Sequence, residues 1–223
     1  MRKEDDEMKA FDPKKSTVII CCAGMGTRLG IGSTKALVDI SGKPLIIRLL
    51  EQLKNYDDIR IVVGFQAERL IQVINSYRKD IMYAFNYEYE TTGVADSLRK
   101  ALVGVREYVL TLDGDTLIND EDFMSFLKCE NEALGISSIV SAEPVMACVE
   151  NSQVLRLSKT QGNAQWSGIA KIRSEKLQGS SSHVYEILNQ LLPLPEYRMR
   201  TRTIDTPEDY EQAIAWFESG CVD

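Results

Sequence analysis

The sequence predicts an α/β fold in which a doubly wound, mostly parallel mixed sheet lies between two layers of helices, a three-layer α/β/α arrangement. Short apolar runs rich in β-branched residues indicate buried parallel strands. Segments of helical periodicity alternate with these runs over the first half of the chain, which favours right-handed βαβ crossovers. The length of 223 residues and the hydrophobic content of 44% suffice for one large sheet.

The strands of the first half are apolar runs bounded by charged or glycine residues. The first, at 17–22, follows a charged stretch, and the second, at 59–63, is stopped by a glycine. A third is predicted at 81–86, and a fourth at 108–112 runs straight into an acidic turn. Their lengths are those of buried strands.

Helices are predicted between these strands, because apolar residues recur there every three or four positions. The first helix spans 44–56, and Pro44 is tolerated in its first turn. The other two span 67–77 and 93–103.

The second half of the chain mixes short strands with helices. We predict strands at 136–142, 153–157, 166–172 and 200–204. A helix over 183–192 ends before two prolines. The final helix begins after Thr206, because threonine is a good N-cap, Pro207 suits the first helical position, and Asp209 lies where a capping-box acid would.

The N-terminal residues differ in composition from the rest of the chain. Residues 1–15 carry 10 charged side chains and no apolar run, which is typical of a flexible, solvated lead-in. No internal repeat or linker interrupts the remainder, so we predict a single domain over 16–223. No apolar run approaches the roughly 20 residues of a membrane helix, so we expect no membrane partner.

Charge and cysteine content narrow the possible functions. The net charge of −7 argues against nucleic acid as a partner, because broad nucleic-acid binding needs a basic surface. The five cysteines form no CxxC pair and accompany a single histidine, His183, which argues against a zinc site. A reduced, cytoplasmic location is the expectation. We interpret His183, at the start of a helix, as a surface or capping residue.

The segment from Ala23 to Lys35 is the strongest functional signal. It leaves the C-terminal end of the first strand, where open α/β sheets bind ligands. Its four glycines let backbone amides approach a ligand, and Arg28 and Lys35 add two cations. This combination suits a polyphosphate.

Two other glycine-rich motifs, the P-loop and the dinucleotide-binding fingerprint, also bind phosphates. A P-loop requires GxxxxGK[ST], which no register of the segment supplies. A dinucleotide fingerprint requires GxGxxG and an acid after the second strand; here the third glycine is displaced to Gly30, and no acid follows the strand directly. A dinucleotide-dependent oxidoreductase and a plain glycine turn with solvated cations are therefore the weaker alternatives.

Carboxylates follow two of the predicted strands. Asp113 and Asp115 end the fourth strand, and Asp205 follows the last one. Oxygen ligands of this kind suit Mg²⁺, which binds one or two carboxylates beside substrate phosphates. If the sheet places these strand ends side by side, Asp115 and Asp205 converge on one crevice. A turn or helix-capping role is the alternative for each aspartate.

The motifs of the chain, taken together, resemble a known family. They occur in this order: Ala23-Gly24-Met25-Gly26-Thr27-Arg28-Leu29-Gly30, a lysine followed by Ala-Leu-Val, Ser41-Gly42-Lys43-Pro44-Leu45, Asp113-Gly114-Asp115 and Ile204-Asp205-Thr206-Pro207-Glu208-Asp209. Over roughly residues 16–218 the chain resembles the sugar-phosphate nucleotidyltransferases that make NDP-sugars, also called pyrophosphorylases. Its short loop from Arg28 to Lys35 is most similar to the short cytidylyltransferases acting on phosphocholine or inositol phosphate.

The resemblance implies a Rossmann-like fold of the nucleotide-diphospho-sugar transferase type. It implies transfer of CMP from CTP, or NMP from another NTP, to a phosphorylated small molecule, with Mg²⁺ as cofactor and pyrophosphate as product. The residues placed at the nucleotide are Ala23, Gly24, Met25, Gly26, Thr27, Arg28, Lys35, Asn86, Gly93, Ser97 and Asp113. Those placed in catalysis are Arg28, Lys35 and Asp115. Asp115 and Asp205 would bind the metal, and Lys159 and Gly168 would bind the acceptor.

Two residues depart from the family pattern. Thr34 stands where most relatives have a proline before the lysine, which could alter the rigidity of the loop. Thr203 stands where many have an acid, which could leave Mg²⁺ with fewer carboxylates and more water. The protein is expected to be a monomer or a homodimer, and a catalytically weak, nucleotide-binding regulatory module on the same fold is the alternative function.

The class of acceptor is left open by the sequence. A cationic acceptor such as phosphocholine needs an aromatic or acidic lining. Trp166 or the tyrosines at 83, 87 and 89 could supply that lining, although packing on a sheet edge is the favoured interpretation of the tyrosines. A sugar phosphate needs more hydrogen-bonding groups, and neither pattern is clear.

Overall fold

The computed structural model describes residues 12–221. The charged lead-in predicted for residues 1–15 therefore falls mostly outside the described residues, and Pro13–Lys15 form a short 3₁₀ helix. No helix within residues 12–221 is long and apolar enough to cross a membrane. A division into one domain over 16–223 stays a prediction.

The described residues form strands and six α-helices in the following order. The strands are β1 (Ser16–Cys21), β2 (Asp39–Ile40), β3 (Lys43–Pro44), β4 (Ile59–Val63), β5 (Ile81–Phe85), β6 (Tyr108–Asp113), β7 (Thr116–Ile118), β8 (Ala133–Ser137), β9 (Met146–Glu150), β10 (Gln153–Ser158), β11 (Ala164–Arg173), β12 (Leu194–Arg198) and β13 (Thr201–Thr203). The helices are α1 (Leu45–Gln52), α2 (Ala67–Tyr77), α3 (Val94–Lys100), α4 (Asp120–Leu127), α5 (Val184–Asn189) and α6 (Pro207–Glu218).

Nine of these strands form one mixed sheet, in the order β5-β4-β1-β6-β11-β8-β12-β10-β9. The first four are parallel, with Cys21 of β1 opposite Val62 of β4 and Asp113 of β6. The long β11 runs antiparallel to β6 and β8, and β12 returns parallel to β8. The predicted α/β fold with a mixed sheet is confirmed, and its parallel half coincides with the strands predicted in the first half of the chain.

Helices cover both faces of the sheet, which gives the predicted three layers. Alternate residues of β1 point to opposite faces, as the pleat of a strand requires. Val18 and Ile20 lie in the core beneath α1, α2 and α4, whereas Ile19 lies in the core beneath α3 and α5. A third cluster joins Trp216 of α6 to Leu29, within the glycine-rich loop. The C-terminal helix is thereby packed against the segment that carries the candidate phosphate loop.

Several predictions for the second half are wrong in position. The strand predicted at 136–142 is β8 at Ala133–Ser137, and residues 138–145 form a loop. The helix predicted at 183–192 is shorter, at Val184–Asn189, with His183 as its N-cap. Helix α4 and strands β9 and β12 were not predicted; α4 has a local signal, because the Asn119 side chain caps it by accepting from the N–H of Asp122.

The strand predicted at 200–204 does not join the main sheet. Its residues form β13, which pairs antiparallel with β7 in a separate two-stranded ribbon, with Thr203 opposite Thr116. The N–H of Ile204 donates to the carbonyl of Asp115 at 2.9 Å. The expectation that two ends of the main sheet bring Asp115 and Asp205 together is therefore wrong, and the ribbon brings them together instead.

A buried arginine ties β4 to the loop after α3. Arg60 is 5% exposed, and its guanidinium donates to the carbonyls of Ala101, Val103 and Gly104 and to the carboxylate of Asp58. The Ala101 carbonyl belongs to the C-cap residue of α3, and the other two lie in the loop that follows it. Arg60 therefore fixes the connection that leads from α3 into β6, whose far end carries Asp113.

We expect Arg60→Met to lower the free energy of unfolding by about 2–4 kcal/mol, because three carbonyls lose this donor and the Asp58 carboxylate keeps only its other partners, such as Thr17. Urea denaturation measures the change, and Arg69→Met on the exposed face of α2 is the matched control. A loss below about 0.5 kcal/mol for the Arg60 variant would show that this network does not stabilise the fold.

Candidate functional site

A cavity of about 470 Å³ opens where β1 and β6 end. The glycine-rich loop forms one side of it, through Gly24, Gly26, Thr27, Arg28, Thr34 and Lys35. The acidic turn after β6 and the end of the β7–β13 ribbon form the floor, through Asp113, Gly114, Asp115, Thr203 and Asp205. This is the edge at which open α/β sheets bind ligands.

A glycine allows the Lys35 side chain to reach the floor of the cavity. Gly26 has a φ of +59°, and a Cβ at this position would lie 2.8 Å from Cγ of Lys35. Any larger residue would be strained in this conformation and would block the lysine. The loop therefore needs glycine here for the path of a neighbouring cation.

Lys35 lies between two carboxylates. Its Nζ donates to Oδ2 of Asp115 at 2.9 Å and also to Oδ1 of Asp205. Burial alone would lower the pKa of Lys35, but Asp115 and Asp205 more than offset it, so the pKa lies above its ordinary value. Lys35 is thus a cation throughout the physiological pH range.

Arg28 extends this cluster towards the mouth of the cavity. Its guanidinium donates to Oδ1 of Asp205 at 3.0 Å and to Oε2 of Glu143 at 2.9 Å. Asp205 therefore contacts both cations of the loop. The structure brings together Arg28, Lys35, Asp115 and Asp205, which the sequence predicts to share one crevice.

Asp113 lies behind this cluster. Burial raises the pKa of Asp113 to about 8, with a further contribution from the Asp115 carboxylate that Lys35 partly opposes. Gly168, with a φ of +79°, leaves space for it, because a Cβ there would lie 2.5 Å from Oδ2 of Asp113. Gly168, predicted to bind the acceptor, contacts Asp113 and is not among the described residues that line the cavity.

The donor set suits a magnesium ion. One ammonium contacts both Asp115 and Asp205, so their nearest oxygens lie within about 6 Å of each other at ordinary hydrogen-bond lengths. Within residues 12–221 no group of three His, Cys, Asp or Glu side chains could hold a metal ion. A metal at this pair would therefore take further ligands from phosphate and water, as Mg²⁺ commonly does.

Three residues predicted at the nucleotide lie behind the cavity wall. Asn86 is 1% exposed and donates to Ser97 and Thr92, each at 2.9 Å. Gly93 packs against Ser182, whose carbonyl oxygen would lie 2.1 Å from an added Cβ. Ala23 and Met25 are also not among the described lining residues. Contact of these five with a nucleotide stays a prediction, and Asn86, Ser97 and Gly93 support the wall near His183.

The outer wall of the cavity consists of Lys159, His183 and Tyr185. The rings of His183 and Tyr185 stack with centroids 5.6 Å apart, and Nζ of Lys159 lies over the Tyr185 ring, 6.0 Å from its centroid. His183 was interpreted as a surface or capping residue; it is exposed and stands at the N-cap position of α5, but it also lines the cavity. Its position beside the cavity depends on the packing of the neighbouring Ser182 against Gly93, a contact that no sequence motif predicts.

Some of the other aromatic and acidic residues line the cavity, and others lie away from it. Trp166 lines the cavity but is 8% exposed, and its Nε1 donates to the carbonyl of Ile169. Tyr83, Tyr87 and Tyr89 are absent from the described lining. Glu143 lines it, although its polar stretch of sequence carries no recognisable signal.

The two thiols at the end of β1 are poor nucleophiles. Burial raises the pKa of Cys21 and of Cys22, and the nearby Asp113 and Asp115 carboxylates raise both further. Since the thiolate is the reactive form, the site offers no cysteine for covalent catalysis.

Thr34 takes up the backbone conformation of the residue it replaces. Its φ is −63° and its ψ is 138°, within the range that proline adopts. Its hydroxyl donates to the carbonyl of Cys22 at a long 3.4 Å, and its N–H donates no hydrogen bond within residues 12–221. A proline at this position could therefore adopt the same backbone conformation.

Comparison with known proteins shows which family the sequence matches. The MobA-like NTP transferase domain matches residues 18–167. The bifunctional protein GlmU of Methanococcus vannielii is 29% identical over 191 residues, 78% of this chain and 43% of that protein. GlmU of Methanococcus maripaludis is 30% identical over 182 residues, 78% of this chain and 42% of that protein. The chain thus spans less than half the length of these relatives.

Two solved structures share the fold. The inositol-1-phosphate CTP transferase from T. maritima superposes with a TM-score of 0.77 at 18% identity, over 92% of this chain and 97% of that one. The CTP:phosphocholine cytidylyltransferase from Streptococcus pneumoniae superposes with a TM-score of 0.75 at 18% identity, over 91% and 99%. The fold is therefore that of the resemblance found in the sequence.

We expect Thr34→Pro to keep the fold and to leave the free energy of unfolding unchanged or raised by up to about 1 kcal/mol, because proline fixes a φ that Thr34 already has. Thr34→Ala isolates the loss of the hydroxyl. Denaturant unfolding of both variants measures the change. If Thr34→Pro alone lost more than about 1 kcal/mol, the loop would not be compatible with the proline of the family pattern.

Proposed function

Because the chain belongs to the MobA-like NTP transferase domain family, we propose that it is a nucleotidyltransferase. It transfers CMP from CTP to a phosphorylated small molecule and releases pyrophosphate. The observation that carries this proposal is the convergence of Arg28 and Lys35 with Asp115 and Asp205 in one cavity at the ends of β1 and β6. Cations on a glycine-rich loop beside carboxylates are what a metal-bound polyphosphate requires.

The reaction needs positioning and charge stabilisation more than acid–base chemistry. An oxygen of the acceptor phosphate attacks the α-phosphorus in line, so that one P–O bond forms while the bond to pyrophosphate breaks. The nucleophile is already an anion, so no general base is required. Arg28 and Lys35 stabilise the negative charge that develops on the leaving pyrophosphate.

Asp115 and Asp205 are the residues that would hold Mg²⁺. The ion, when bound, neutralises phosphate charge and orients the attacking and leaving oxygens. Lys35 contacts both carboxylates and is positioned to exchange them for phosphate oxygens, since its ammonium remains protonated.

The proposed preference for CTP is supported by the two structural neighbours, one of which is a CTP transferase and the other a cytidylyltransferase. The outer wall would face the acceptor, with Lys159 near its phosphate. A hydroxylated phosphoester fits this wall better than a cationic one, because the Lys159 ammonium already lies over the Tyr185 ring. The five free cysteines support a reducing, cytoplasmic compartment.

We expect Mg²⁺ and CTP to raise the melting temperature more than Mg²⁺ with ATP, GTP or UTP, because a ligand stabilises the state that binds it. The same panel, with inositol phosphate, a sugar 1-phosphate and phosphocholine as acceptors, is assayed for pyrophosphate release. Release with CTP supports the proposal. Equal shifts with all nucleotides, or the largest with GTP, would remove the basis for CTP, and no release with any pair would contradict the transferase.

We expect Lys35→Ala to lower kcat by about a hundredfold or more, as is typical for the loss of one preorganised electrostatic contact. Lys43→Ala is the control, because Lys43 pairs with Glu51 outside the cavity. Steady-state pyrophosphate release measures both variants, and circular dichroism checks their folding. Activity within about twofold of the parent protein would mean that Lys35 does not act on the phosphates.

A further inference from the structure

We propose that Glu143 sets the affinity of the site for polyphosphates by competing for Arg28. The ion pair between Glu143 and Arg28 occupies the guanidinium when no ligand is bound, and a polyphosphate must displace it. This inference rests on the proposed function, because it takes the β- and γ-phosphates of a nucleotide as the competing group.

The loop that carries Glu143 is held in place by the adjacent strand β11. Oε1 of Gln165, a residue 3% exposed, accepts from the N–H groups of Val140 and Ser141 at 3.1 and 3.2 Å. The N–H of Trp166 donates to the carbonyl of Val145 at 2.8 Å. Glu143 lies between these two attachments, so its position at the mouth of the cavity is fixed by buried contacts.

Both nitrogens at the end of Arg28 are engaged by carboxylates. One donates to Glu143 at 2.9 Å and the other to Asp205 at 3.0 Å. A guanidinium binds phosphate through the same parallel pair of N–H groups. Arg28 therefore presents both terminal nitrogens fully to a phosphate only when Glu143 and Asp205 release them.

Glu143 differs from the other acids of the cavity. Asp115 and Asp205 lie on the floor, where a divalent cation would neutralise them, whereas the Glu143 side chain is 75% exposed at the mouth. Among the ion pairs of residues 12–221, its carboxylate contacts Arg28. Its charge opposes an entering polyphosphate both by repulsion and by holding Arg28.

The expected change in affinity is small, because the Glu143 side chain is exposed to solvent. Ion pairs between exposed side chains are weak, and repulsion between charges in water is of similar size. Removing both by Glu143→Gln should tighten binding by about three- to tenfold. The gain applies only to ligands long enough to reach Arg28, so a nucleoside monophosphate should not benefit.

Isothermal titration calorimetry tests this with three probes: CTP with Mg²⁺, inorganic pyrophosphate with Mg²⁺, and CMP. Glu143→Gln is compared with the parent protein and with Glu150→Gln, an exposed acid at the end of β9 that makes the same change in net charge. We expect the Kd of CTP and of pyrophosphate to fall about three- to tenfold in Glu143→Gln. The Kd of CMP, and all values for Glu150→Gln, should stay within twofold.

Three results would overturn the inference. One is an unchanged or weaker affinity of Glu143→Gln for CTP and pyrophosphate, and another is an equal gain for CMP or in Glu150→Gln, which would indicate a general charge effect. In both of these the parent protein still binds CTP, so the proposed function stands. If neither CTP nor pyrophosphate binds any of the three proteins, the proposed function fails together with this inference.

Discussion

The contact of one ammonium with two carboxylates is the interaction on which the rest of the site depends. Lys35 comes from the loop after β1, Asp115 from the turn after β6, and Asp205 from the end of the β7–β13 ribbon. The Asp115 and Asp205 carboxylates would repel each other at this distance unless a cation lay between them, and Lys35 is that cation. The surrounding structure holds the cation in place, through Gly26 beneath the lysine and Trp216 of α6 packed near the loop.

Such a cluster is suited to an exchange of partners. In the absence of ligand, Lys35 and Arg28 are neutralised by carboxylates of the protein, and a metal-bound polyphosphate offers each group a new partner of opposite charge. The carboxylates gain a divalent cation while the two loop cations gain phosphate oxygens. Each charged group thus keeps a partner of opposite charge as the ligand enters, which limits the desolvation cost of binding. Among the described acids that line the cavity, Glu143 lies at the mouth and gains no new partner from this exchange.

Elements with a local sequence pattern could be predicted, whereas elements whose position depends on strand pairing could not. The first four strands of the main sheet and the loop of Arg28 and Lys35 were predicted, because buried parallel strands and glycine-rich turns leave contiguous patterns. The place of Asp205 depends on β13, a strand of three residues. Its partner strand β7 lies 83 to 87 positions earlier, with Thr201 opposite Ile118 and Thr203 opposite Thr116. No periodicity exists in so short a strand, and its pairing with β7 rather than the main sheet could not be predicted. Glu143 and His183 reach the cavity through tertiary contacts of Gln165 and Gly93, which likewise carry no sequence motif.

The central claim is that Asp115 and Asp205 bind a metal when the loop cations bind phosphate. A crystal structure with Mn²⁺ and a non-hydrolysable CTP analogue, phased to show the anomalous signal of the metal, tests this most directly. The expected result is one metal peak about 2.1–2.2 Å from oxygens of both carboxylates, with the Lys35 ammonium moved onto a phosphate oxygen. A bound nucleotide with the metal away from Asp115 and Asp205, or with Lys35 still held by both carboxylates, would contradict it.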